Sequence, residues 1–201
     1  IKNLVYQLSP NPMTSTPGDY KAQFRISVDF ASGHAVLKET VLTAPFGGSF
    51  DVDARFNLFQ RTLDEVFVKS SALRLDTLPQ YLLPFQERLP VNLGFSGETQ
   101  LDFFAKGGPE LLTTTVRVDL SKTTLTYSKY FSKPSGMPLF LEGDMKLAGG
   151  RILRGDFALE FGEAVLKGSL VGLDLVSGEG EMTELTNKFS IKGWEQYFPP
   201  L

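Results

Sequence analysis

The sequence has no cysteine, one histidine and one tryptophan in 201 residues. Without cysteine, neither a disulfide nor a thiolate metal site can form. A serine hydrolase needs a base beside its nucleophile, and His34 is the only histidine to supply one. It stands in a Ser-Gly-His turn and reads as an exposed turn residue. Gly94-Phe95-Ser96-Gly97 lacks the spacing of a nucleophile elbow. No run of Lys or Arg exists, the net charge is −3 and the isoelectric point is about 5.3. That argues against a nucleic-acid partner and against a polybasic grip on anionic headgroups. No stretch approaches the roughly 18 apolar residues of a membrane-spanning helix. The chain opens on Ile1 with no signal peptide. This predicts a segment of a longer protein, with any anchor outside it.

What the chain does have is phenylalanine, 17 in all, and long runs of strict alternation. Tyr20, Ala22, Phe24, Ile26, Val28 and Phe30 share one parity, against Lys21, Gln23, Arg25, Ser27 and Asp29. Period two over eleven residues predicts an amphipathic strand. Phe50, Val52, Ala54, Phe56 and Leu58 repeat the pattern, as do Leu139, Leu141, Gly143, Met145 and Leu147. Phe140 is an aromatic on the otherwise polar side of the last run. Residues 36–44, 101–105, 111–120, 153–161 and 164–171 read as further strands. Glycine turns at Ser32-Gly33, Gly47-Gly48, Gly107-Gly108, Gly149-Gly150 and Gly162 separate them. Short turns between sequential strands predict an antiparallel meander. The segments 10–18 and 130–136 read as loops. Leu78 to Phe85 and Gly193 to Phe198, rich in aromatics and ending near proline, read as short helical plugs.

The chain is doubled. Gln80-Tyr81-Leu82-Leu83-Pro84 recurs as Gln196-Tyr197-Phe198-Pro199-Pro200, with the tyrosines at 81 and 197, 116 residues apart. The same offset carries Leu73, Leu75, Leu78 and Phe24 onto Phe189, Ile191, Trp194 and Phe140. One residue less places Phe46-Gly47 on Phe161-Gly162. This divides the chain into a first β module over 1–85 and a second over 86–201, separate or fused into one continuous sheet. Each closes on its plug.

Candidate chemistry is sparse. Asp51 and Asp53 share a strand face with Arg55, which suits a solvated surface better than a carboxylate pair. Glu179, Glu181 and Glu184 surround two glycines, but their spacing is not that of a calcium loop. No phosphate-cradling loop or dinucleotide fingerprint is present. The expectation is a protein that is not an enzyme, with no metal and no cofactor.

The phenylalanine-rich faces admit two arrangements with identical alternation. In one, two sheets press them together into a sandwich core. In the other, a single sheet curls around an open groove and the faces stay available to apolar ligands.

The passage from Tyr130 to Gly150 resembles a recurrent one in the AsmA-like superfamily, the AsmA, TamB and YhdP type of bacterial envelope protein. A Lys-Pro-x-Gly loop, here Lys133, Pro134 and Gly136, leads into a long amphipathic strand from Pro138. Leu166-Lys167-Gly168-Ser169-Leu170 is similar to the family's Leu-x-Gly-x-Leu strand. Leu78, Tyr81, Leu82 and Pro84 resemble the segments that punctuate its repeats, with Trp194, Tyr197, Phe198 and Pro200 in the second copy. The resemblance implies an all-β, mainly antiparallel, taco-like groove in the periplasm, anchored to the inner membrane by a segment outside this chain. It implies phospholipid acyl chains as ligand, conducted between inner and outer membranes. The rest of the same chain and other envelope proteins would be its partners. The expected lipid-binding groove comprises Phe24, Ile26, Val28, Phe30, Phe50, Val52, Phe56, Leu139, Leu141 and Met145. The competing expectation is a closed β module that supports outer-membrane biogenesis without touching lipid.

Overall fold

The computed structural model describes residues 4–6, 21–43, 47–76, 93–108, 110–174 and 180–188. Both plug candidates, 78–85 and 193–198, lie outside these residues. Among the described residues, helix is limited to a single turn at Leu75 and Asp76. Everything else regular is antiparallel strand.

The described residues form fourteen strands, in order β1 (Leu4–Tyr6), β2 (Lys21–Asp29), β3 (His34–Thr43), β4 (Ser49–Asn57), β5 (Thr62–Ser70), β6 (Leu73–Arg74), β7 (Leu93–Gly107), β8 (Leu112–Asp119), β9 (Thr123–Tyr127), β10 (Phe131–Lys133), β11 (Leu139–Ala148), β12 (Arg151–Phe161), β13 (Ala164–Asp174) and β14 (Glu181–Lys188). Eleven of them form one open ladder, β1-β2-β3-β4-β5-β7-β8-β11-β12-β13-β14. Ten strand spacings make it about 48 Å long. The first half of the 15-residue β7 leaves the ladder to pair with β6 and β9, and β10 completes that side branch.

The alternation reads through to the strands. The run from Tyr20 to Phe30 becomes β2, Phe50 to Leu58 becomes β4, and Leu139 to Leu147 becomes β11. Turn chemistry fixes the hairpins between them. At the end of β2, the Asp29 carboxylate accepts from Ala31 N (2.9 Å) and Ser32 Oγ (2.7 Å), and Gly33 N donates to Asp29 O (2.8 Å). Gly33 has φ of 72°, a left-handed conformation that an L side chain resists.

The doubling appears as a repeated four-strand meander. Shifting β2, β3, β4 and β5 by 116 residues lays them over β11, β12, β13 and β14, with ends offset by a few residues. Both meanders belong to the same sheet, joined through β7 and β8. Register shifts occur in β2/β3, β3/β4, β4/β5, β5/β7, β11/β12 and β13/β14. The pairs β7/β8, β8/β11 and β12/β13 run without one. A bulge bends its strand and increases local twist, so β7, β8 and β11 form a regular stretch with a bulged pair on either side.

The segment read as a loop at 130–136 contains a strand, β10, and a buried lysine. Lys133 has no accessible surface, and its Nζ donates to Thr123 O (2.7 Å), Ser121 O (3.2 Å) and Pro134 O (3.2 Å). Gly136 N donates to Ser121 O (2.8 Å), with Gly136 at φ of 90°. The lysine ammonium and the glycine amide thus tie the turn before β11 to the turn before β9.

Candidate functional site

In an antiparallel ladder, directly opposed residues share a face. The register can therefore be followed across the sheet, strand by strand. One transverse row runs Val28, Ala35, Phe56, Leu63, Gly107, Leu112, Leu147, Ile152, Leu173. A second runs Ile26, Leu37, Ala54, Val66, Ala105, Thr114, Met145, Gly155, Leu170. A third continues from Val52 through Val68, Phe103, Val116, Gly143 and Phe157 to Gly168. A fourth joins Leu101, Val118, Leu141, Leu159 and Leu166. Nine strands at about 4.8 Å spacing make the longest rows about 38 Å.

From β2 to β13, this side of the main ladder carries no Asp, Glu, Lys, Arg or His among the described residues. The bulges preserve it. In β3, Leu37 and Thr40 both face the apolar side because Lys38 and Glu39 are accommodated together between them, with Glu39 at φ of 52°. In β12, Ile152 and Gly155 do the same around Leu153 and Arg154. Without these extra residues, one half of each strand would turn its charges inward.

The polar side holds the charges as cross-strand pairs. Arg55 meets Glu65 (3.1 Å), Arg117 meets Glu142 (3.2 Å) and Arg25 meets Glu39 (2.7 Å). Phe140, the aromatic out of pattern, lies under the Arg117 guanidinium at 5.2 Å. Phe67 and Phe104, opposed in register on the same side, stack at 4.7 Å. These contacts give the polar-side aromatics partners. Asp51, Asp53 and Arg55 are exposed there, as expected of a solvated surface.

No second layer covers the apolar side among the described residues. Apart from marginal contacts, elements touch only their hydrogen-bonded neighbours in the ladder. Yet every buried residue in the strands of the main ladder faces this side, Ala35, Thr40, Ala54, Ala105, Thr114 and Ile152 among them. The small ones are overshadowed by large neighbours. Phe157 lies across Gly168 so closely that a Cβ at position 168 would overlap its ring. The apolar side is thus the more enclosed one while remaining uncovered. At the end of the sheet near Gly107, Gly108, Gly149 and Gly150 it opens into a depression of about 440 Å³, floored by Leu63, Leu112 and Leu147 and edged by Arg61.

Eight of the ten expected groove residues take part in this surface directly. Ile26, Val28, Phe50, Val52, Phe56, Leu141 and Met145 lie on it by register, and Phe24 alternates with Ala22 and Ile26. Leu139 is on the same side but buried at its end, paired with Phe161, whose ring meets Phe131 at 5.8 Å. Phe30 is the exception. It follows the end of β2, sits in the turn and is 83% exposed, so it does not line the sheet. The sequence reading missed β5 entirely, and with it Val66 and Val68. Alternation fails there because Asp64 is an extra residue against β4 and Phe67 faces the polar side. The valine spacing was the available signal.

Groups able to ligate a metal do not gather in threes among the described residues. His34 stands beside Asp64 at 3.9 Å, half-exposed and without a nucleophile among its described partners. No family model, curated protein or solved structure matches the chain.

Proposed function

We propose that the chain is a segment of a hydrophobic β-groove that binds or conducts phospholipid acyl chains in the bacterial periplasm. It would belong to an envelope protein of AsmA-like type, anchored in the inner membrane by a segment outside this sequence. The observation that carries the reading is the charge-free apolar surface, continuous across nine strands and uncovered among the described residues. An acyl chain laid on it leaves water at about 0.8 kcal/mol per CH₂. No single residue has to recognise the ligand, and a surface made of equivalent rows lets the chain slide from one to the next. The ion-paired polar side keeps such a sheet in solution.

Photo-crosslinking in the intact protein in cells tests this. A crosslinking residue is placed at Ile26, Val52 or Leu141, and at Arg25, Asp51 or Glu142 as opposite-face controls. Lipid adducts are expected at the first three only. Adducts at neither set, in folded protein, would mean that the apolar side is closed over. The chain would then be a structural module of envelope assembly.

A further inference from the structure

The short turns joining β2 to β3, β4 to β5, β7 to β8 and β11 to β12 all stand at the same ends of their strands, so they line one long rim of the sheet. Successive turns are two strand spacings, about 10 Å, apart. Two of these turns carry the most exposed aromatic side chains among the described residues, Phe30 at 83% and Phe59 at 69%. Leu58 and Leu111 beside them are about half exposed. On the opposite rim, no described turn residue of the main ladder exposes a large apolar side chain. Tyr127 and Tyr130 are exposed, but they belong to the tip of the β9–β10 hairpin, off the ladder.

These tips are held out by structure. Leu58 N donates to Gly33 O (2.8 Å), and the Phe59 ring rests on Gly33, where a Cβ would overlap it. Two neighbouring turns are thereby braced against each other. The same rim borders the 440 Å³ depression, and there its wall falls to bare backbone at Gly149 and Gly150, with open space where their side chains would be. Arg61 stands at the mouth.

The geometry points to a lipid bilayer as the partner of this rim. Phe30, Phe59, Leu58 and Leu111 would enter the boundary between headgroups and acyl chains. The glycine gap would be the side port through which an acyl chain reaches the apolar face. Isolated apolar tips about 10 Å apart fit a fluid interface, which fills the spaces between them. A folded protein partner would need a contiguous patch. Arg61 is placed to meet a lipid phosphate as the chain passes. The port rests on the acyl-groove reading, whereas the docking of the rim does not.

The absence of cysteine makes a single-label test direct. The full chain carries an environment-sensitive fluorophore at Gln60→Cys on this rim or at Glu163→Cys on the other. It is mixed with vesicles of phosphatidylethanolamine and phosphatidylglycerol. Emission should shift to the blue at position 60 and not at 163. Partitioning of the unlabelled protein should weaken about tenfold for each of Phe30→Ser and Phe59→Ser, the equivalent of one withdrawn aromatic ring. Tyr127→Ser with Tyr130→Ser should leave it unchanged. The proposal is overturned if the phenylalanine variants partition like the parent, or if both labels shift equally. It is also overturned if those variants dissolve a self-associated form while vesicle binding stays intact, since the rim would then be a protein contact. Failure of the groove reads out separately. Protein that docks on vesicles yet yields no adduct at Leu141 keeps the rim and loses the groove, and the reverse outcome loses the rim alone.

Discussion

Replacing Lys133 with methionine keeps most of the side-chain volume and removes the ammonium that gathers three carbonyls. Of those carbonyls, Ser121 O keeps the Gly136 amide, and Pro134 is exposed, so water can reach its oxygen. Thr123 O is the principal loss, in a residue with no accessible surface. A buried acceptor deprived of its partner costs about 1–3 kcal/mol, and bonds from a charged donor are worth about 1.5–3 kcal/mol each. Relief of the ammonium's own burial offsets part of this. The expected destabilisation is about 2–3 kcal/mol, read as a lower midpoint in urea with an unchanged slope. Faster amide exchange in β9 and β10 should accompany it. Lys122→Met, an exposed neighbour, should change stability by less than about 0.5 kcal/mol. The pH dependence gives a second readout. Burial pushes the Lys133 ammonium below the ordinary lysine value, with Asp119 opposing. The unfolded chain then binds more protons than the folded one across the alkaline window between the two values, so stability rises with pH there. Lys133→Met should lack that rise. A variant as stable as the parent, with the same alkaline slope, would refute the anchoring role.

Gly168→Val should cost about 1–2 kcal/mol, because its Cβ pushes the end of the Phe157 ring aside; adding Phe157→Leu should recover much of the loss in the same unfolding assay. Thr114 Oγ1 is buried without a hydrogen-bond partner on the apolar side, so Thr114→Val should be neutral or stabilise by up to about 1 kcal/mol in thermal unfolding. Asp156 is held below the ordinary carboxylate range, by the hydrogen bond from Arg154 first and that from Ser169 second. Its contribution is therefore present above the unfolded carboxylate value and lost as pH falls through the folded one. In acid titration, Asp156→Asn should remove that part of the stability loss, and an unchanged acid limb would contradict it.

Alternation was cleanest where every second residue was apolar and no bulge intervened, although the bulged β3 and β12 were also legible from 36–44 and 153–161. Tyr20 to Phe30, Phe50 to Leu58 and Leu139 to Leu147 satisfy both conditions, and β2, β4 and β11 follow them within a residue or two. β5 was hidden by its bulge at Asp64. β9, Thr-Thr-Leu-Thr-Tyr, has too few apolar residues to show a period. β7 was read only as Leu101 to Ala105 because Gly94, Ser96 and Gly97 interrupt its first half, the part that leaves the main ladder. Most of the apolar surface was therefore visible in sequence. Its continuity was not, because continuity depends on register, and register depends on where Glu39, Asp64 and Leu153 are tucked out. Phe30 kept the parity of its strand, but the turn began one residue earlier than the alternation suggested. Lys133 gave no sign of burial, since its partners are backbone carbonyls that no side-chain pattern reveals.

The ladder advances almost entirely by hairpins, each strand resting on the one made just before or just after it. Length is therefore modular. Inserting or deleting one hairpin would lengthen or shorten the sheet by about 10 Å and re-pair only the strands at the point of change. The four strands that recur at the 116-residue offset correspond to about 19 Å of added reach. A chain built this way can take almost any length by copying part of itself, and the reach of the sheet becomes a property of gene length.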